Sequence, residues 1–170
     1  MNDLSPSATE ADRRALRRAL GCFPTGVAIV TAESRAGAPV GVTISSFNSV
    51  SMTPPLVLWS MGLDAGSLPE FRASPHFAIN VLSAKQADLP ARFSSPVADR
   101  FAGLDWQRGL GGVPVIAGAA AVFECATWAR YDGGDHEIIV GEVLRHACTE
   151  AAPLVFGKGR LVALPAAAAD

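Results

Sequence analysis

The chain is short of the residue patterns that mark several common chemistries. Its three cysteines, Cys22, Cys125 and Cys148, are far apart and form no Cys-x-x-Cys pair. That excludes a redox dithiol or a compact zinc knuckle and predicts a reducing, cytoplasmic setting. Charge is scarce as well: 18% of residues are charged, and 14 basic against 16 acidic side chains leave a net charge of −2. No overall field then favours a phosphate backbone or an anionic bilayer, so neither nucleic acid nor membrane is expected as a partner. No apolar run reaches the roughly 20 residues of a membrane span, and the start, Met1-Asn2-Asp3-Leu4-Ser5-Pro6, lacks the basic and apolar regions of a secretory leader. There is no Gly-x-Ser-x-Gly elbow, no His-Glu-x-x-His pair and no phosphate-loop lysine, which argues against a serine hydrolase, a zinc site and a P-loop. The glycines of Gly109-Leu110-Gly111-Gly112 lack a strand-to-helix setting and read as a turn.

What the chain does have is apolar substance: 49% of its 170 residues are hydrophobic, enough for one domain that buries roughly 70% of its unfolded surface. Residues 1–10 and 165–170 read as flexible tails around a single domain at 11–164. Leu16, Ala19, Leu20 and Phe23 recur at helical spacing while Arg13, Arg14, Arg17 and Arg18 lie mainly elsewhere. This predicts an amphipathic helix between Thr9 and Leu20, whose arginine run is either a solvated face or a docking patch. Seven short β-prone runs follow, punctuated by Gly and Pro: 27–31, 40–46, 56–59, 77–82, 121–128, 138–143 and 161–164. Ser67 with Glu70, and Ser83 with Gln86, have capping-box spacing and predict two short helices, the second cut short or bent by Pro90. The expected class is mainly β, a small barrel or sandwich with a few peripheral helices.

Two segments could carry chemistry. Val40, Val42 and Ile44 alternate with Gly41, Thr43 and Ser45, and the chain continues through Ser46-Phe47-Asn48-Ser49-Val50-Ser51. One face is core; the other is small and polar, either an ordinary hydroxyl-rich strand or a surface on which backbone and hydroxyl donors meet a phosphate or heterocycle. The second segment, Asp132-Gly133-Gly134-Asp135-His136, is a turn feeding an apolar strand. It sets an imidazole at the strand's entrance, solvated, paired with Asp135 or turned toward a ligand. Asp99-Arg100-Phe101 is either a surface arginine beside a core ring or a phosphate partner beside a ring-covering one. No side chain reads as a nucleophile.

In order, Phe23-Pro24-Thr25-Gly26-Val27, Gly41 through Ser51 with Pro54-Pro55-Leu56-Val57, Phe77 through Leu82, Gly134-Asp135-His136 with Ile139 through Val143, and Pro153-Leu154 resemble the short-chain flavin reductases, the reductase components of two-component monooxygenases. The resemblance covers about residues 12–164. It implies an FMN-binding split β-barrel and a homodimer with flavin near the subunit interface. It also implies a reaction in which NADH or NADPH reduces FMN or FAD, the product serving a partner monooxygenase. By position, Thr43, Ser45 and Ser46 would lie along the ring and ribityl chain, Ser49, Val50 and Ser51 near the phosphate, and Ser60 and Met61 beside the flavin. Arg100 would be a phosphate partner, and His136 the catalytic-site residue that contacts flavin and orients nicotinamide. The fit is chemical too, since hydride transfer needs aligned rings rather than a protein nucleophile. Gly62 through Gly66 carries no cation where relatives often have one, so Arg92 or Arg100 would have to neutralise the phosphate. A non-catalytic flavin- or haem-binding barrel is the alternative; it needs the Thr43–Ser51 surface but not His136. Trp59, Trp106 and Trp128 are expected to need cover from a second subunit.

Overall fold

The structure is a computed structural model and describes residues 9–97 and 99–164; the tail readings for 1–8 and 165–170 fall outside them. The N-terminal helix α1 (Glu10–Leu20) starts where its cap dictates, inside the segment read as tail. Thr9 Oγ1 accepts from the Asp12 N–H at 3.3 Å, and the Asp12 carboxylate accepts from the Thr9 N–H at 2.8 Å, a reciprocal box. None of its residues is buried.

Strands β1 (Thr25–Gly26), β2 (Ala28–Glu33), β3 (Pro39–Ile44), β4 (Asn48–Met52) and β5 (Pro55–Gly62) follow. Then come α2 (Leu68–Ala73), β6 (His76–Val81), α3 (Leu89–Ser94), β7 (Trp106–Arg108), β8 (Pro114–Ile116), β9 (Ala121–Gly133), β10 (His136–Cys148), β11 (Leu154–Gly157) and β12 (Arg160–Ala163). All seven expected strands form. Those missed, β1, β4, β7, β8 and β11, are short or polar, and the β9–β10 hairpin runs further than its apolar stretch because Gly134, at φ 76°, closes a two-residue turn.

The principal sheet is antiparallel in the order β3-β2-β6-β9-β10-β5-β4, with β1-β11-β12 and β7-β8 as smaller sheets. The large sheet curls without closing, a split barrel whose terminal strands β3 and β4 do not pair. Strand β2 is covered on both faces: Ala28, Val30 and Ala32 enter one core around Trp59, Phe71 and Phe77, while Val27 and Ile29 enter a second around Phe93, Phe101 and Leu154. Hence its sequence reads as a continuous apolar run rather than an alternation. Buried Asn80 spends its amide on both sides, donating to Ile29 O at 3.1 Å and accepting from Ile116 N at 2.8 Å, which fastens β8 across the sheet.

Two local expectations are corrected. Ser67 makes no side-chain cap on α2, its own backbone being helical at φ −90°, ψ −3°, and Glu70 accepts from the Arg35 N–H at 3.0 Å. The Ser83–Gln86 box forms but opens only a single 3-10 turn; Pro90 then sits in the first turn of α3, where no N–H is needed. The tryptophans also differ from expectation. Trp59 is wholly buried and Trp106 packs on the second core, so only Trp128, 54% exposed, lacks cover within the chain.

Candidate active site

The pocket that collects the expected residues lies in the split itself. Strand β3 ends at Ile44 and the chain turns away, while the neighbouring edge strand β4 makes its last rung to β5 at Asn48 and Leu58. Ser60, two residues further along β5, therefore lacks a strand partner on that side. Ser46 supplies one: its hydroxyl accepts from the Ser60 N–H at 2.9 Å and lies 3.2 Å from the Ser60 carbonyl, to which it donates. A side chain thus closes the barrel where a strand does not.

The cavity beside this bridge has a volume of about 240 Å³ and is lined by Val42 through Ser46, Ser60, Met61, Gly62, Ala65 and His136. Thr43 donates its hydroxyl to the Pro90 carbonyl at 2.8 Å, so that proton anchors α3. Ser45 is exposed and its hydroxyl has no partner among the described residues. Met61 packs its side chain into the core at 2% exposure.

His136 opens β10 and pairs in register with Gly62. Its Nδ1 is 2.7 Å from Asp135 Oδ1. The hydrogen bond from His136, followed by its charge, holds the Asp135 carboxyl below its ordinary range. An ionised carboxylate can only accept, so Nδ1 carries the proton and Nε2 is the atom left for a ligand. A Cβ on Gly62 would stand 3.9 Å from Nε2 and 2.8 Å from Asp64 Oδ1. A side chain here would crowd the Asp64 carboxylate and touch the imidazole edge, so glycine leaves both free.

A group that the sequence reading missed holds this corner. Glu137, 7% exposed, accepts from Arg72 Nη2 and from Arg130 Nη1, each at 2.6 Å, and Arg130 also donates to Phe71 O at 2.7 Å. Leu63 N donates to Asp135 O at 2.9 Å, tying the loop after β5 to the hairpin turn. Burial pushes the Glu137 carboxyl up, but the two arginine hydrogen bonds and their charges outweigh it and leave the group below its usual range. A lone acid beside Ile138-Ile139-Val140 was the available signal.

Other expected residues stand apart. Ser49, Val50 and Ser51 lie on edge strand β4, outside the cavity, and Ser51 Oγ accepts from the Thr53 N–H at 3.2 Å. Arg100 donates to Gly41 O at 2.9 Å and twice to Ser95 O, at 3.2 and 3.0 Å; Arg92 donates to Ala102 O. Both guanidinium groups clasp backbone carbonyls, and neither lines the cavity. Cys125 is a core residue whose thiol burial, aided by Glu124, pushes up to about 12.

Comparison with known proteins agrees with this arrangement. The profile of the family described as "Flavin reductase like domain" matches residues 20–165. The chain is 51% identical over 146 residues to the FMN reductase (NADH) SmoA of Agrobacterium fabrum, covering 86% of this chain and 83% of that one. It is 47% identical over 132 residues to the stachydrine N-demethylase reductase subunit Stc3 of Rhizobium meliloti, which spans 78% of this chain but only 57% of the relative. Among solved structures, the Streptomyces globisporus NADH:FAD oxidoreductase SgcE6, in complex with NAD and FAD fragments, superposes with a TM-score of 0.88 at 40% identity, covering 97% of this chain and all of the other.

Proposed function

The chain belongs to the family of the flavin reductase like domain, and from that premise we propose that it is an NADH-dependent flavin reductase whose product, reduced FMN or FAD, serves a partner monooxygenase. The observation that carries this reading is the cavity in the split of the barrel, where the Thr43–Ser46 segment, Ser60 and the His136 imidazole converge over an unsubstituted Gly62. The cavity fits a flat ring: glycine beneath, hydroxyls on one wall, one imidazole nitrogen free.

Flavin, when bound, supplies the hydride-accepting ring, and the dinucleotide supplies the hydride. The chain's part is to align them and exclude alternatives. Ser46 pins the end of β3 to β5 and so fixes the wall on which Ser45 is displayed. Asp135 holds Nδ1, directing Nε2 of His136 toward the pocket, where it orients the nicotinamide end. The Arg72–Glu137–Arg130 network keeps the hairpin root and α2 together, so the imidazole is presented from a rigid base.

A homodimer belongs to the same proposal. Trp128 and Tyr131 of β9 are 54% and 57% exposed, and Leu20 and Phe23 of the α1 end 63% and 77%, apolar side chains that a second copy would cover. Light scattering at micromolar concentration is expected to give twice the chain mass; a monomer overturns this part.

The activity is tested by NADH and NADPH oxidation in air with FMN, FAD or riboflavin, against a control lacking flavin. Flavin-dependent oxidation is expected. Tight flavin binding without oxidation would establish the non-catalytic module, and no binding would refute both.

A further inference from the structure

Two hydrogen-bond acceptors meet beside Gly62. His136 offers Nε2 as a lone pair, because Nδ1 carries the proton shared with Asp135 at 2.7 Å. The loop after β5 adds the other acceptor. A Cβ built on Gly62 would have Asp64 Oδ1 at 2.8 Å and His136 Nε2 at 3.9 Å, with no further heavy atom beyond its chain neighbours within 4 Å. A carboxylate and an imidazole therefore face the same open space over one glycine.

Local geometry holds them there. Residues 62–65 form a turn, closed by the Ala65 N–H donating to Gly62 O at 3.1 Å, and the Leu63 N–H donates to Asp135 O at 2.9 Å. Those two N–H groups are spent within the fold, and residues 62–66 contain no cation. Asp64, third in the turn, is exposed and enters no ion pair among the described residues. The fold itself does not occupy its carboxylate, yet the turn fixes where it stands.

Two acceptors side by side call for a ligand with two donors on one atom. They repel a phosphate or a carboxylate. The imide N–H of a flavin sits between two carbonyls, so it would satisfy one acceptor only by setting a carbonyl against the other. A planar NH2 group meets both. We propose that Asp64 is a specificity-determining residue: its carboxylate and His136 Nε2 accept the two N–H donors of the carboxamide of a nicotinamide dinucleotide, selecting the primary amide over the corresponding acid. This rests on the reductase reading and adds to it a residue on the β5–α2 loop. An adenine amino group carries the same pair of donors, so the dinucleotide has two ends that could meet them.

Calorimetric titration of the full chain, saturated with FMN or FAD, distinguishes these ends. The ligands are NAD, nicotinic acid adenine dinucleotide and nicotinamide hypoxanthine dinucleotide, oxidised forms that bind without turnover. The parent is expected to hold NAD at least about tenfold more tightly than the acid form, the worth of one charge-assisted contact. Asp64→Asn, whose amide can donate to the acid, should narrow that ratio about tenfold, and Asp64→Ala should narrow it less. Asp64 faces solvent, so both variants are expected to melt with the parent and to bind FMN equally well. Equal affinity for amide and acid in the parent overturns the inference, as does an unaltered ratio in Asp64→Asn. A selective change with the hypoxanthine form also overturns it, because the adenine amino group would then occupy the pair. Should the chain bind no flavin or no dinucleotide, the reductase reading fails by itself. Free nicotinamide against nicotinic acid then reports on the pair: a preference for the amide that Asp64→Asn abolishes upholds the inference, and no preference overturns it.

Discussion

Ser46→Ala isolates the contact that closes the split. In the parent, one hydroxyl accepts from the Ser60 N–H at 2.9 Å and donates to the Ser60 carbonyl at 3.2 Å. Removing it strands two backbone groups on a central stretch of β5 that no strand can reach from that side. A fully buried orphan costs about 1–3 kcal/mol; both residues here are only half-buried, so water recovers part of it and the pair is worth about 1–2 kcal/mol. For a chain of this size that lowers Tm by about 2–8 °C. The second consequence is functional. The end of β3 loses its tether, so Ser45 and the cavity wall become mobile, and riboflavin and FMN affinity should fall together because the lesion is at the ring end. Scanning calorimetry and flavin titration check both, with Ser46→Thr as the variant that retains the hydroxyl. A Ser46→Ala protein that melts with the parent and binds riboflavin equally well would refute the reasoning. A lowered Tm with parental riboflavin affinity would refute its functional half.

His136→Ala is expected to raise KM for NADH by about tenfold, the loss of one positioned contact, with a smaller change in flavin affinity; equal losses would remove its orienting role. Glu137 is held below its ordinary carboxyl range, so its contribution to stability is complete above the unfolded value of about 4.5 and is lost as pH falls through the lower folded value. Melting temperature against pH should therefore decline below about pH 4.5, and Glu137→Gln should flatten that decline while costing about 2–3 kcal/mol at neutral pH, since Arg130 is left half-buried and unpaired. A parallel acid limb in Glu137→Gln would show that other carboxyls govern it. Arg100→Ala should lower Tm, because Gly41 O and Ser95 O lose their donor, and leave the FMN to riboflavin affinity ratio at the parental value; a selective loss of FMN affinity would restore Arg100 as a phosphate ligand.

The residues that were legible in advance are those whose position depends on local pattern. The helical spacing of Leu16, Ala19 and Leu20 marks α1, the alternation from Val40 to Ile44 makes β3, and Gly134-Asp135 turns the hairpin that presents His136. Each follows from a few neighbouring residues, because helical period, pleat and turn geometry act over one to four positions. The ordered motifs likewise carried the family, which the comparison bears out over residues 20–165.

Tertiary structure alone decided which donors were already taken. Arg100 and Arg92 look available in a sequence, but backbone carbonyls compete for them, and Gly41, Ser95 and Ala102 prevail. Glu70 is drawn to Arg35 from across the fold instead of to its own helix cap. Glu137 finds its arginines 65 and 7 residues away, a pairing set by the register of β9 with β10 and the docking of α2. The meeting of Ser46 with Ser60 has the same origin. Local sequence specifies an element by its period, whereas a site is made where elements far apart in the chain compete for the same few polar groups, and that competition is resolved only when the sheet has curled.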